Sequence, residues 1–445
     1  MNKLMSSVRL SLAASLLVAA GWASAALPLQ RWTQASGAEV YLVESPGIPM
    51  VDVQLDFDAG SRRDPAAQAG LADATAGQAN KGIAAQGKEP ALDENALGEA
   101  WADLGASFGA SASRDRMSFS LRTLTYPDLL PKAVALAARQ LGTPAFDAAV
   151  WQRDRERIGA ALRESYTRPG PVASRAFQEL VYGGHPYGRE TTEQTLAAIS
   201  VDQLRAFYAQ SILPCRAKIS VVGAVTRQQA DQLVQALLAR LPQTACAPLP
   251  AVGEVPALAK AEERRIPFAS NQAQVIIGQP GIRRDDPDFF AVLVGNHILG
   301  AGGFTSRLTH EVREKRGLTY GVSSDFSPGR HAGAFTVGLQ TRADQANAAI
   351  AVARETLARF VAEGPTEQEL KAAKDNLVGG FALRLDSNRK LLGNVANIAW
   401  NGLPLDYLEH WTERVQALTV RDVREAMQRM LQPDRMVTVV VGGKQ

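Results

Sequence analysis

Hydrophobic and polar residues alternate strictly along Val51-Asp52-Val53-Gln54-Leu55-Asp56-Phe57 and again along Met117-Ser118-Phe119-Ser120-Leu121-Arg122. A period of two puts one set of side chains on each face, so both segments predict strands with one face in a core. Phe335, Val337 and Leu339 repeat the pattern late in the chain, and Lys218–Gly223 reads as a further strand. Helical patterning lies between these segments. Pro131–Leu141 forms an apolar stripe that stops at Gly142, and Thr226–Leu241 predicts another helix. Ser200-x-x-Gln203 and Thr366-x-x-Glu369 are capping boxes, which satisfy the free N–H groups at a helix start.

The pattern occurs twice. Ala198-Ile199-Ser200-Val201-Asp202-Gln203-Leu204-Arg205 has a counterpart in Ala417-Leu418-Thr419-Val420-Arg421-Asp422-Val423-Arg424. The pairs Ser200 and Thr419, Pro214 and Pro433, and Gly223 and Gly442 share one offset without a gap. Gly60-Ser61-Arg62-Arg63-Asp64 matches Gly281-Ile282-Arg283-Arg284-Asp285 at nearly the same spacing. A duplicated unit is the simplest source of such agreement. The fold class expected is therefore α+β: two homologous domains, each a largely antiparallel sheet with helices packed on one face. The first domain is expected at 26–241 and the second at 263–445, with a linker over 242–262 whose first part, Pro242–Pro256, is proline-rich.

Residues 1–25 read as a signal peptide. Lys3 and Arg9 precede an apolar run, Leu10–Ala20, and Ala23-Ser24-Ala25 is a cleavage signal of the A-x-A type. Cleavage after Ala25 would export the protein, most simply to a bacterial periplasm. No other segment is apolar enough to cross a membrane. The net charge of +3 and the lack of a basic run point away from nucleic acid and anionic surfaces. In an oxidising compartment Cys215 and Cys246, at the two ends of a strand and its returning helix, are expected to pair; two free thiols are the alternative.

Two segments carry a resemblance. Gly60-Ser61-Arg62-Arg63-Asp64-Pro65 leads into Gly70-Leu71-Ala72-Asp73-Ala74-Thr75-Ala76-Gly77, and Gly300-Ala301-Gly302-Gly303-Phe304-Thr305-Ser306-Arg307-Leu308 leads on through Arg313 to Tyr320. The chain resembles a subunit of the pitrilysin/insulinase metallopeptidases, related to the mitochondrial processing peptidase; His185-Pro186-Tyr187-Gly188 is a weaker landmark. In that family an H-x-x-E-H helix supplies two zinc-binding histidines and a glutamate that activates water. Here those positions hold Asp73, Ala76 and Gly77, and the third ligand position holds Ala161. A catalytic zinc needs three protein ligands, so no zinc is expected on this chain. None of the five histidines has another at i+4 to replace them.

The family's Arg/Tyr pair, which contacts the substrate backbone and the oxyanion at the scissile carbonyl, maps onto Arg313 and Tyr320. Fixed donors at that oxygen lower the barrier as negative charge develops. Alternatively, Arg313 pairs with Glu311 or Glu314 and Tyr320 fills a core. The resemblance implies a non-catalytic subunit of a heteromeric zinc metallopeptidase, lending Arg313 and Tyr320 to a homologous partner that holds the zinc and cleaves peptides. A scaffold or peptide-binding protein with no part in hydrolysis is the second reading.

Overall fold

A computed structural model describes residues 28–443 of the chain. The leader and its cleavage site lie outside the described residues. Among the described residues eleven strands form two sheets. The first contains β1 (Gln30–Thr33), β2 (Glu39–Glu44), β3 (Met50–Phe57), β4 (Ser107–Ala112), β5 (Met117–Leu124) and β6 (Lys218–Gly223), in the order β1-β2-β6-β3-β5-β4. The second contains β7 (Glu262–Ile266), β8 (Gln272–Pro280), β9 (Val322–Phe326), β10 (Ala334–Arg342) and β11 (Val437–Val441), in the order β7-β11-β8-β10-β9. Apart from β1, the two orders correspond strand for strand. Each sheet has one parallel contact, β2 with β6 and β7 with β11; the rest are antiparallel. The expected α+β architecture with its duplicated, largely antiparallel sheets is what the chain adopts.

The repeated landmarks do the same work in both halves. Ser200 caps Val201–Ser211 and Thr419 caps Val420–Met430, each through a reciprocal capping box. Gly223 and Gly442 both take positive φ, at 155° and 142°. A Cβ at either would lie 2.3 Å from a backbone oxygen of the neighbouring strand, Met50 or Gln272. Only glycine allows that approach.

The alternating faces of β3 and β5 bury Val53, Leu55, Phe57, Phe119 and Leu121 against the helices of the first half. Phe335, Val337 and Leu339 do so in the second. The opposite faces depart from the expected one-sided packing. Helix Pro169–Tyr182, from the first half, lays Ala173, Phe177 and Val181 against Val437, Val439 and Val441 of the second sheet. Helix Asn388–Asn401, from the second half, lays Leu391, Leu392, Val395 and Ala399 against Tyr41, Val43 and Val222 of the first. These two helices are related by the same offset as the sequence repeats. The halves thus exchange helices reciprocally. Each fully buried side chain of this kind contributes roughly 1.5–3 kcal/mol, so the exchange holds the halves tightly together.

Residues 242–261 contain no helix or strand, and β7 begins at Glu262. This stretch is pinned along the seam between the halves. Pro250 accepts a hydrogen bond from Arg63, Ala247 accepts one from Arg216 at 2.9 Å, and Gly253 O lies 2.9 Å from His185 Nε2. Cys215 and Cys246 are joined, with Cα atoms 6.1 Å apart. Among the described residues no helix is long and apolar enough to cross a membrane.

Candidate functional site

The segment in place of a zinc helix is well formed. Asp64 is buried and accepts from Gly70 N at 2.8 Å and Ala72 N at 2.9 Å, capping helix Leu71–Gln78 from outside it. Burial raises the Asp64 carboxyl to about 7, and the nearby Asp73 adds to the rise. Asp73 is exposed, yet desolvation by the surrounding protein raises its carboxyl as well. Ala76 is buried and Gly77 exposed.

The second helix of the lost site is Ala148–Ser165. It touches the first through Gln78 Nε2, which donates to Asp154 Oδ2 at 2.9 Å. Asp154 is buried and also engages Arg153 and Arg157. Ala161 lies two turns farther along and is exposed. Of the four replaced positions, only Asp73 carries an atom that could bind a metal. Among the described residues no group of three or more His, Cys, Asp or Glu is arranged to hold an ion. The residues present do not fit a catalytic zinc.

Arg313 and Tyr320 stand differently. A π-helical turn, Thr309–Glu314, carries Arg313 half-buried, with its guanidinium 4.7 Å from the centre of the Phe304 ring. Cation–ring attraction holds the side chain there without neutralising it. The adjacent carboxylates are occupied elsewhere. Glu311 binds Lys315 at 2.8 Å and Arg316 at 2.7 Å, which hold its carboxyl down at about 2. Glu314 engages His310 at 3.0 Å. Among the described residues Arg313 has no carboxylate partner, so the alternative of a locally paired arginine does not hold.

Tyr320 is 89% exposed, which also excludes a core role. Its backbone is nevertheless fixed on both sides. Thr319 is buried and its hydroxyl donates to Gln340 O at 2.6 Å, while Gly321 N donates back to Thr319 Oγ1 at 3.0 Å. Strand β9, at the edge of the second sheet, starts immediately after. The phenol therefore projects from a rigid loop, and no protein group satisfies its hydroxyl among the described residues. No hydrogen bond, ion pair or ring contact joins Arg313 or Tyr320 to Asp73 or Ala161.

Three features escaped the sequence reading. Phe304 supplies the platform under Arg313, although it sits in the Gly-rich segment already singled out. Asp64 acts as the external cap. His185 and Tyr187, noted only as a landmark, reach across the seam: Tyr187 Oη accepts from His331 N at 3.2 Å, and the His185 and His331 rings lie 5.3 Å apart. Their long spacing in sequence left no local signal.

Comparison with known proteins places this geometry. A family model described as "Insulinase (Peptidase family M16)" matches residues 39–195, and one described as "Peptidase M16 inactive domain" matches residues 198–377. An uncharacterized zinc protease of Streptomyces coelicolor is 30% identical over 277 residues, 60% of either chain, so that match spans under two thirds of the relative. A non-peptidase homologue of Helicobacter pylori is 24% identical over 434 residues, 95% of this chain and 96% of its own. A solved peptidase M16 inactive domain from Pseudomonas fluorescens superposes with a TM-score of 0.88 at 36% identity, covering 94% of this chain and 98% of its own. The periplasmic protease PqqL of Escherichia coli shares the fold, with a TM-score of 0.79 at 19% identity over 94% of this chain and 46% of its own. A non-peptidase relative and an inactive-domain structure suit a chain that keeps a metal-binding side chain at only one of the four ligand positions, Asp73. From consecutive M16 matches along its length and a close structural counterpart, the chain belongs to the insulinase family of M16 peptidases.

Proposed function

We propose that this chain is a non-catalytic subunit of a heteromeric zinc metallopeptidase. A homologous partner holds the zinc and activates water, and this chain presents Arg313 and Tyr320 to the bound peptide. The observation that carries the reading is the exposure of Tyr320 on a backbone fixed at Thr319 and Gly321. A large phenol left in solvent contributes little to folding, whereas it suits a donor presented to a ligand. Arg313, seven residues earlier in the chain, supplies permanent positive charge, and its resting contact with Phe304 leaves its N–H groups free to donate to a peptide carbonyl. Together they would stabilise the oxyanion formed when the partner's water attacks.

The same proposal includes the division of the chain at 242–262 and export to the periplasm after cleavage at Ala25. Oxidising conditions there suit the Cys215–Cys246 pairing. The test begins by drawing the mature protein from its native extract and identifying a zinc-bearing homologue that accompanies it. The reconstituted pair is then assayed on a fluorogenic peptide. Tyr320→Phe should leave assembly intact and lower turnover roughly 100- to 1,000-fold. Unchanged turnover would give precedence to the scaffold reading.

A further inference from the structure

The irregular strap at 247–252 roofs a cleft of about 620 Å³ at the seam between the halves. Its lining is strongly unbalanced in charge. Five cations, Arg62, Arg63, Arg216, Lys218 and Arg330, face two carboxylates, Asp58 and Glu39. The carboxylates are largely committed: Asp58 is shared by Arg62 and Arg63, and Glu39 binds Arg31 outside the cleft. Three cations have no carboxylate partner among the described residues. Arg216 donates to the carbonyls of Gln210 and Ala247, Lys218 donates to Ala399 O at 2.8 Å, and the exposed Arg330 side chain has no partner. Burial pushes the Lys218 amine below its usual range; Glu39, opposite it in the β2–β6 register, works against that push, and Arg330 adds to it.

A second observation concerns an aromatic residue of the same lining. Trp400 lines the same cleft, is 6% exposed, and its buried indole N–H makes no hydrogen bond. Leaving a buried donor unpaired costs roughly 1–3 kcal/mol. Uncompensated cations and an orphaned donor around one cleft have a common remedy, an acceptor carrying negative charge.

We propose that the cleft under the 247–252 strap binds an oxyanion, held by Arg330, Arg216 and Lys218, with the Trp400 N–H, buried behind the lining, as an additional donor once its ring turns towards the ion. A carboxylate at a peptide terminus and a free phosphate share this chemistry. The site lies apart from Arg313 and Tyr320, and the inference does not depend on their role.

The test uses the full mature chain in calorimetric titrations at constant low ionic strength. One arm adds inorganic phosphate; the other adds a short peptide with a free C-terminus and, separately, its C-terminal amide. Saturable binding in either arm is expected. Binding of the free-acid peptide but not the amide identifies a peptide terminus, and binding of phosphate alone identifies a phosphoryl group. Arg330→Gln removes an exposed side chain without a structural bond, and Trp400→Phe removes the N–H while keeping a ring. Each should weaken binding about tenfold or more, while Arg421→Gln, outside the cleft, should leave it unchanged. Absence of saturable binding in both arms would overturn the assignment, as would equal affinity in wild type and the two cleft variants.

Discussion

Phe177 and Gly278 lie in opposite halves of the chain, and the ring of Phe177 occupies the space a side chain at Gly278 would need. A Cβ there would come within 2.8 Å of Phe177 Cζ and 2.1 Å of Phe335 O. The contact is part of the seam formed when helix Pro169–Tyr182 covers the second sheet. Helix exchange therefore depends on one large residue and one absent side chain meeting across the repeat.

Substitution on either side should loosen that seam. Phe177→Ala removes a buried ring and should cost about 3–5 kcal/mol in chemical denaturation. Gly278→Ala should also destabilise by at least about 1–3 kcal/mol, because the added methyl meets backbone on one side. If Gly278→Ala were neutral, the close packing of Phe177 on β8 would be wrong.

The presentation of Arg313 depends on Phe304, which is 66% exposed. Phe304→Ala should leave folding stability within about 0.5 kcal/mol, as expected for surface positions. It should lower turnover of the reconstituted complex roughly two- to fivefold, because the cation–ring contact is worth about 0.5–1 kcal/mol at exposed sites. A stability loss with normal turnover would assign Phe304 and Arg313 to the fold.

The replaced ligand positions lead to a direct measurement. After dialysis, elemental analysis of the purified chain should find far less than one zinc per molecule, and the chain alone should not cleave peptides. Near-stoichiometric, tightly held zinc would contradict the reading of Asp73, Ala76, Gly77 and Ala161.

Asp64 should make stability depend on pH. Its carboxyl sits near 7 in the folded protein, against about 3.9 in an unfolded chain. A raised value means that the folded state favours the protonated form, so the contribution is complete below about pH 4. It is lost as pH climbs towards 7. Wild type should therefore lose a few kcal/mol relative to Asp64→Asn over that interval, measured by urea denaturation at several pH values. A constant difference between the two proteins would show that the N–H groups of Gly70 and Ala72 keep Asp64 ionised throughout.

The strap offers a further check. The Cys215–Cys246 bond closes a loop with a sequence separation of 31 residues. Reducing it should cost about 2–4 kcal/mol. Proteolysis within 248–256 should give two fragments that still elute together under native conditions, because each half keeps a helix of the other. Separation of the fragments without denaturant would argue against the exchanged packing.

Much of this protein is legible from local pattern. Alternation at Val51–Phe57 and Met117–Arg122 marks strands because the pleat has a period of two, and Ser200 and Thr419 mark helix starts because their hydroxyls meet free N–H groups nearby. The repeat shows the duplication, since equivalent glycines such as Gly223 and Gly442 are needed wherever backbones pass too closely for a Cβ. The absence of donor side chains at Ala76, Gly77 and Ala161 is likewise a property of residue type alone.

Tertiary structure decided what covers the second face of each sheet. Val437-Thr438-Val439-Val440-Val441 is buried throughout, a pattern that signals cover on both faces but does not name the cover. The covering helix comes from more than 250 positions earlier, and no local period encodes that distance. The same applies to Arg313 and Tyr320. Residue type makes them possible donors, but only the folded chain occupies Glu311 with Lys315 and Arg316 and Glu314 with His310, and leaves the Tyr320 phenol in solvent. Local sequence sets backbone and hydrogen-bond preferences within a turn or two. Which charged groups remain free depends on neighbours brought together by folding.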